Sequence, residues 1–357
     1  MYFHCQTAIW SEDRYEHYSQ IADRYGTHRS LTRTVQYAGL DQLAKFRTYI
    51  RLVQEYTQRK LSFASDRFHA FQGIANHLSK EWGWVFVCGL PVPQLDKALL
   101  WISSKQLPRL INTDHAHERL PSWSWAGWTE GVHFGLTAQM RHIPLARDFA
   151  VTTPDGIKNF RISDSDGPTE SSDGTVSQPD MPARDSLECI PHELAAVHNV
   201  LIFSAESVFA HQFSFILTTI YTESKSATLG MLDRNVWRIQ DLAGRACGLL
   251  YGGRLPADLT KDVDVRPRTS QFQFISISES IDGPCFSVLD DFIMNDNEDA
   301  LQANIYHEYY VESGNKTFNI MLVRWNDVGF TERVAVGQIH MEAWKQALSK
   351  LKTIYLG

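Results

Sequence analysis

The sequence predicts an α+β chain: a helical N-terminal region over 1–120, then a β-rich, mostly antiparallel domain over 121–357 that closes on a C-terminal helix. Three observations carry this expectation. Before residue 83, apolar residues step by threes and fours in two segments, which places them on single helical faces. Beyond Pro191, short β-branched and aromatic runs alternate with turn residues, the pattern of strands. Between them, 152–187 is rich in Ser, Asp, Gly and Pro, and 151–190 holds eight acids against three bases. Such a stretch buries too little apolar surface to offset the ordering of its backbone, so it is expected to be a disordered acidic insertion.

The elements follow in order. Met1 to Trp10 reads as a strand with no helical start signal, and a chain that begins mid-strand is expected to be the remnant of something longer. From Gly39 to about Tyr56, Leu43, Phe46, Ile50 and Val53 share one helical face, with Arg47, Arg51 and Gln54 opposite. The basic stretch Arg47, Arg51, Arg59 and Lys60 is read as a solvated helix face rather than a phosphate strip. Ser65 can cap a second helix carrying Phe68, Phe71, Ala75 and Leu78, which Gly83 ends; the two helices are expected to pair as a hairpin. Trp84 to Leu90 reads as a short strand, broken by Gly89-Leu90-Pro91, and Leu95 to Ile102 as a third short helix.

Pro121 then introduces Ser122-Trp123-Ser124-Trp125-Ala126-Gly127-Trp128. Alternating Ser and Trp has period two, so a strand with two indoles on one face is expected. Further strands are placed at Val197–Ala210, Gln212–Tyr221, Asn235–Gln240, Gln271–Ser278 and Asn319–Trp325. Phe272, Phe274, Ile275 and Ile277 mark the fourth as buried. Met341, Trp344, Leu348 and Leu351 step by three, four and three, predicting the closing helix.

Composition bounds the function. The chain has 357 residues, 43% of them hydrophobic, with ten tryptophans, enough for a substantial core. A net charge of −7 argues against a broad nucleic-acid footprint. Cys5, Cys88, Cys189, Cys247 and Cys285 are odd in number and scattered, with no C-x-x-C pair, so reduced thiols in a cytoplasmic protein fit better than disulfides or a zinc ribbon. No secretory pattern opens the sequence, no run approaches the roughly 18 apolar residues of a membrane span, and Asn315-Lys316-Thr317 therefore carries no weight as a sequon.

The catalytic templates find little. Neither a phosphate-cradling glycine loop nor a G-x-S-x-G elbow is present. His115 and His117, with Asp114 and Glu118 beside them, would share a face on a strand, but they sit in a polar loop and read as solvated. His307-Glu308 and Pro191-His192-Glu193 make weaker claims. Asp290-Asp291 and the group Asp296, Glu298 and Asp299 read as turn acids, without the glycine a calcium loop needs. No catalytic residue, cofactor or metal is therefore assigned. The tryptophans also suggest a stacking platform, but Ser and Ala intervene where basic or amide groups are wanted. Trp123, Trp125 and Trp128 are expected to form a structural seam joining the helical part to the β-rich part.

Several blocks resemble one family. Tyr2-Phe3-His4-Cys5-Gln6 and Ile9-Trp10 come first, followed by the stretch from Leu61 to Ile74 with Ser65-Asp66-Arg67-Phe68 at its heart. Cys88-Gly89-Leu90-Pro91, Leu99-Leu100-Trp101 and the run from Pro121 to Trp128 come next in order. Met321-Leu322-Val323-Arg324-Trp325, Glu332-Arg333-Val334-Ala335-Val336-Gly337, Ala343-Trp344 and Leu356-Gly357 complete the series. Together they are similar to the region downstream of the signature domain in fungal heterokaryon-incompatibility (HET) proteins; 152–310 adds little. The signature motifs of the HET domain itself are absent. The resemblance implies a non-enzymatic portion of a HET-type protein, serving nonself recognition and regulated cell death by packing on a HET effector domain or another protein. Two other readings stand beside it: a small-molecule hydrolase or transferase using His115 and His117, and a truncated product without activity.

Overall fold

The computed structural model describes residues 40–59, 66–103, 120–129, 131–136, 142–160, 162, 197–220, 234–252, 255–260, 271–280, 309, 316–327 and 329–357, and the backbone of three short strands before them. Those strands, β1 (Tyr2–His4), β2 (Ala8–Ser11) and β3 (Tyr15–His17), form an antiparallel sheet of their own. Helix α1 (Gln42–Thr57) starts where the Asp41 carboxylate accepts the Ala44 N–H at 2.6 Å. It buries Phe46, Ile50 and Val53 and leaves Arg47 and Arg51 in solvent, as the periodicity predicts. Helix α2 (Arg67–Trp82) buries Phe71, Ala75 and Leu78, and Gly83 ends it at φ 70°, a left-handed conformation that costs glycine nothing. Ser65 lies outside the described residues. The helices meet where the Tyr56 hydroxyl donates to the Arg67 carbonyl at 2.7 Å and the Tyr56 and Phe71 rings stand 5.3 Å apart.

The expected strand before Pro91 is a tight hairpin, β4 (Phe86–Val87) and β5 (Leu90–Pro91), and the third helix is a single turn, α3 (Leu95–Ala98). A two-stranded pair follows, β6 (Ile102–Ser103) with β7 (Val132–His133). The remaining strands build one large sheet: β8 (His142–Pro144), β9 (Arg147–Thr153), β10 (Gly156–Asn159), β11 (Leu201–Phe209), β12 (Ser214–Ile220), β13 (Arg234–Gln240), β14 (Ala246–Tyr251), β15 (Phe272–Ser280), β16 (Thr317–Trp325), β17 (Thr331–His340) and β18 (Lys350–Leu356). Short helices α4 (Ala257–Thr260) and α5 (Met341–Gln346) complete the set. The α+β class holds, and all five strands expected beyond Pro191 are present.

The sheet runs β10-β9-β11-β15-β16-β17-β14-β13-β12, with one parallel contact in an otherwise antiparallel array. β18 pairs with β11 over seven residues and touches β17 at Thr331, so the path β11-β15-β16-β17-β18 returns to β11 and closes a small barrel. Both faces of the central strands are covered, which is why β15 is buried at all but one of its nine positions. Ile275, Ile277, Met321 and Val323 join Phe46, Phe71 and Trp125 in one cluster, so helices and sheet share a core across residue 120. Phe274, Ile320, Leu322 and Trp344 join Phe213 in a second cluster on the other face.

β14 and β17 pack so closely that a Cβ on Gly337 would run into the Leu249 carbonyl oxygen and the Leu250 backbone. Gly337→Ala is therefore expected to cost about 2–4 kcal/mol, since backbone rather than a flexible side chain must yield; chemical denaturation measures it, and a wild-type midpoint would refute the close approach.

Two expectations are corrected. The closing helix spans only Met341–Gln346: Leu348 takes φ 52° and is exposed, and the chain turns back as β18. The seven paired residues opposite β11 outcompete a helix of four apolar positions, and of those four residues only Trp344 is buried. The disordered insertion expected over 152–187 cannot start at 152, because Thr152 and Thr153 belong to β9 and 156–159 form β10 in a hairpin with it. Residues 163–187 lie outside the described residues. Among the described residues no helix is long and apolar enough to cross a membrane.

Candidate functional site

The tryptophan run is not a strand. Pro121 to Ser124 make a turn, and Trp125–Gly127 form one 3-10 turn capped by the Ser124 hydroxyl, which accepts the Ala126 N–H at 3.1 Å. The expected period-two strand is thus corrected: Ser-Trp alternation here serves a tight turn whose hydroxyls bond backbone while both indoles point inward. Trp123 and Trp125 have no exposed surface, and Trp128 is partly buried against Trp101, ring centroids 5.7 Å apart.

Every indole N–H of this group is used inside the protein. Trp123 donates to the Asn199 carbonyl at 3.2 Å, Trp125 to the Tyr49 hydroxyl at 3.1 Å, Trp128 to the Ser122 carbonyl at 3.1 Å, and Trp101 to the Trp123 carbonyl at 2.8 Å. Trp125 also stands edge-on to Phe71, 4.8 Å away. Through Tyr49 and Phe71 these indoles reach both helices.

The same turn fastens the β4–β5 hairpin. Cys88 (φ 44°) and Gly89 (φ 84°) both lie in the left-handed region, as a tight hairpin turn of this twist requires. The Ser124 hydroxyl donates to the Cys88 carbonyl at 2.7 Å and the Tyr49 hydroxyl to the Gly89 carbonyl at 2.9 Å. A side chain on Gly89 would press on the Trp125 ring at 3.0 Å. Burial pushes the Cys88 thiol up to about 12, so it is a packed thiol rather than a poised nucleophile.

On the sheet side, Arg333 of β17 enters the seam buried. Its guanidinium lies 3.6 Å from the centroid of the Trp101 ring, donates to the Leu99 carbonyl at 2.8 Å, and donates also to the Trp101 carbonyl. Burial holds it well below the usual arginine range, and carbonyls and an aromatic face, rather than a carboxylate, receive the charge. The Arg333 N–H donates to the Ser122 hydroxyl at 2.9 Å, and Ser122 donates through both its N–H and its hydroxyl to the Gly357 carbonyl. Neither Arg333 nor Ser122 was singled out by sequence reasoning, because an arginine in an alternating strand signals a solvent face.

A second polar cluster lies within the sheet. The buried Asn319 amide donates to His142 Nδ1 at 2.8 Å and to the Ser278 hydroxyl at 2.9 Å, and its carbonyl accepts from Gln338 at 2.9 Å. The amide, imidazole and hydroxyl groups answer one another and fix the register of β8, β15, β16 and β17. Asp96 and Lys97, adjacent on α3, are also buried; burial pushes the Asp96 carboxyl up, and Lys97 partly offsets this.

His115, His117, Asp114 and Glu118 lie outside the described residues, as do His307-Glu308, Pro191-His192-Glu193 and the acids from Asp290 to Asp299. Among the described residues, no group of three or more His, Cys, Asp and Glu side chains is placed to hold a metal ion. No family model, curated protein or solved structure matches this chain. The seam's chemistry is that of a lock: buried rings, satisfied donors and one clamped cation join helices, hairpin and barrel.

Proposed function

We propose that this chain is a non-enzymatic, cytoplasmic portion of a HET-type protein that serves fungal nonself recognition by packing on, and restraining, an effector domain. What supports the reading is a convergence. The sequence blocks that resemble the HET-downstream region are dispersed from Tyr2 to Gly357, yet several of them meet in one seam. Phe71 meets Trp125, Cys88 meets Ser124, and Trp101 meets Trp123 and Arg333; Ser122 meets Gly357. A constellation spent wholly on internal contacts is what a family needs to hold a scaffold rather than to perform a reaction.

The test is a calorimetric titration of this chain with a recombinant HET signature domain. A one-to-one complex of micromolar affinity or better is expected. Absence of heat at about 100 μM of both partners, with both folded by circular dichroism, refutes the reading.

A further inference from the structure

The proposed role needs a surface on which a partner can sit, and the last strand offers one. β18 is paired with β11 along its whole length on one edge, but on the other it touches β17 only at Thr331. Gly357 donates its N–H to the Thr331 carbonyl at 2.9 Å, and the Thr331 hydroxyl donates to the Tyr355 carbonyl at 3.0 Å. Residues 355 and 357 therefore turn their backbone groups toward β17. Backbone direction alternates along a strand, so Leu351 and Thr353 aim their N–H and C=O at that same edge. β17 has left it by then, since the Arg333 N–H goes to Ser122. The outward backbone groups of Leu351 and Thr353 have no partner among the described residues.

The side chains flanking this edge are equally unusual. Leu348 and Leu351 are 80% and 74% exposed, more than any other large apolar residue described. On the opposite face, Lys350 and Lys352 lie one residue apart, and neither makes an ion pair among the described residues; Lys352 donates to the Gln273 side-chain carbonyl at 3.0 Å. The Lys352 ammonium also lies over the rings of Phe209 and Trp325, at 5.3 and 5.7 Å, and partial burial and then the Lys350 charge push it below its usual range; no carboxylate among the described residues faces the pair, and Lys350 is exposed. An edge lysine discourages indiscriminate strand pairing. Two of them facing one way also select what is admitted: a second copy aligned antiparallel on the same edge would bring lysines against lysines.

We propose that the free edge of β18 receives an extended segment of a partner protein, pairing with the backbone of Leu351 and Thr353. That segment places carboxylates over Lys350 and Lys352 and apolar side chains over Leu348 and Leu351. This is strand addition, in which backbone bonds give affinity and alternate side chains give specificity. It rests on reading the chain as an interaction module, but a HET domain that binds elsewhere would leave that reading intact while this edge failed.

The experiment uses the full chain and two fluorescein-labelled probes, one a short Glu-Val repeat and the other a Lys-Val repeat, followed by anisotropy. The Glu-Val probe is expected to bind at least about tenfold more tightly and to weaken with salt. Leu351→Pro deletes an outward N–H without touching the bonds to β11, so it should abolish binding while the melting curve stays near wild type. Should that proline unfold the strand, Lys350→Glu, a surface change, is expected to invert the preference between the probes. Equal binding of the two probes overturns the proposal, as does unchanged binding by the proline variant or an unchanged preference in the glutamate variant. A dimer in sedimentation that Leu351→Pro dissolves overturns it too, because the occupant would then be a second copy.

Discussion

Trp125→Ala is expected to destabilise the protein by about 3–5 kcal/mol, the largest loss from any single change in the helical half. The indole is fully buried, stands against Phe71 at 4.8 Å and Tyr56 at 6.1 Å, and covers Gly89. Truncation opens a cavity bounded by both helices and the hairpin, where collapse is limited because Tyr49 is held by its own bond to Gly89. Trp125→Phe separates packing from hydrogen bonding. It keeps a ring against Phe71 but removes the donor to Tyr49, and a loss of about 1–2 kcal/mol is expected. In Tyr49→Phe the same substitution should cost less, since the hydroxyl it strands is already gone. Urea unfolding of the four proteins measures the cycle. A Trp125→Ala midpoint within error of wild type would mean that the seam does not hold the fold together.

Much of this architecture was legible in the sequence, and the failures have identifiable causes. Helices α1 and α2 were readable because Phe46, Ile50 and Val53, and Phe71, Ala75 and Leu78, repeat at helical spacing on faces that are indeed buried. β15 was readable because both its faces are covered. The closing helix failed because Lys350 to Leu356 satisfies two templates at once: Leu351 continues a three-and-four series from Met341, while Leu351 to Leu356 also suits a strand. Pairing with β11, some 150 residues earlier in the chain, decided for the strand. The turn at Pro121 failed in the opposite way. Ser-Trp alternation mimics a strand, and what makes it a turn is remote: the acceptors for its indoles lie at Tyr49 and Asn199. Burial of Trp123 and Trp125 was nonetheless foreseeable from size and composition, while the backbone that carries them was not. Arg333 was illegible for a related reason. Its carbonyl partner at Leu99 is 234 residues away, and no local pattern announces a guanidinium that will be buried.

Arg333 gives the sharpest test of what the seam does, because its substitutions separate volume, charge and hydrogen bonding. Arg333→Ala is expected to cost about 3–5 kcal/mol: it strands the Leu99 and Trp101 carbonyls and empties the space beneath the Trp101 ring. Arg333→Lys keeps a charge but not the planar fork that spans two carbonyls and stacks on an indole, so the loss should remain above about 2 kcal/mol. Arg333→Met keeps the volume and discards the charge. Among the described residues the buried cation has no carboxylate to offset its desolvation, so methionine is expected to be the best tolerated of the three. Stability should therefore fall in the order wild type, Met, Lys, Ala. Combining Arg333→Met with Trp101→Leu in a double-mutant cycle isolates the cation over the ring, with about 1–2 kcal/mol of coupling expected. If lysine proves equal to arginine, the fork geometry is irrelevant and any cation at this position serves. If lysine and methionine are both tolerated and only alanine loses stability, it acts only by filling space. The predicted order follows from one feature of the site: a cation held by carbonyls and an aromatic face couples β17 to the chain around Leu99 and Trp101 through direction as well as through contact.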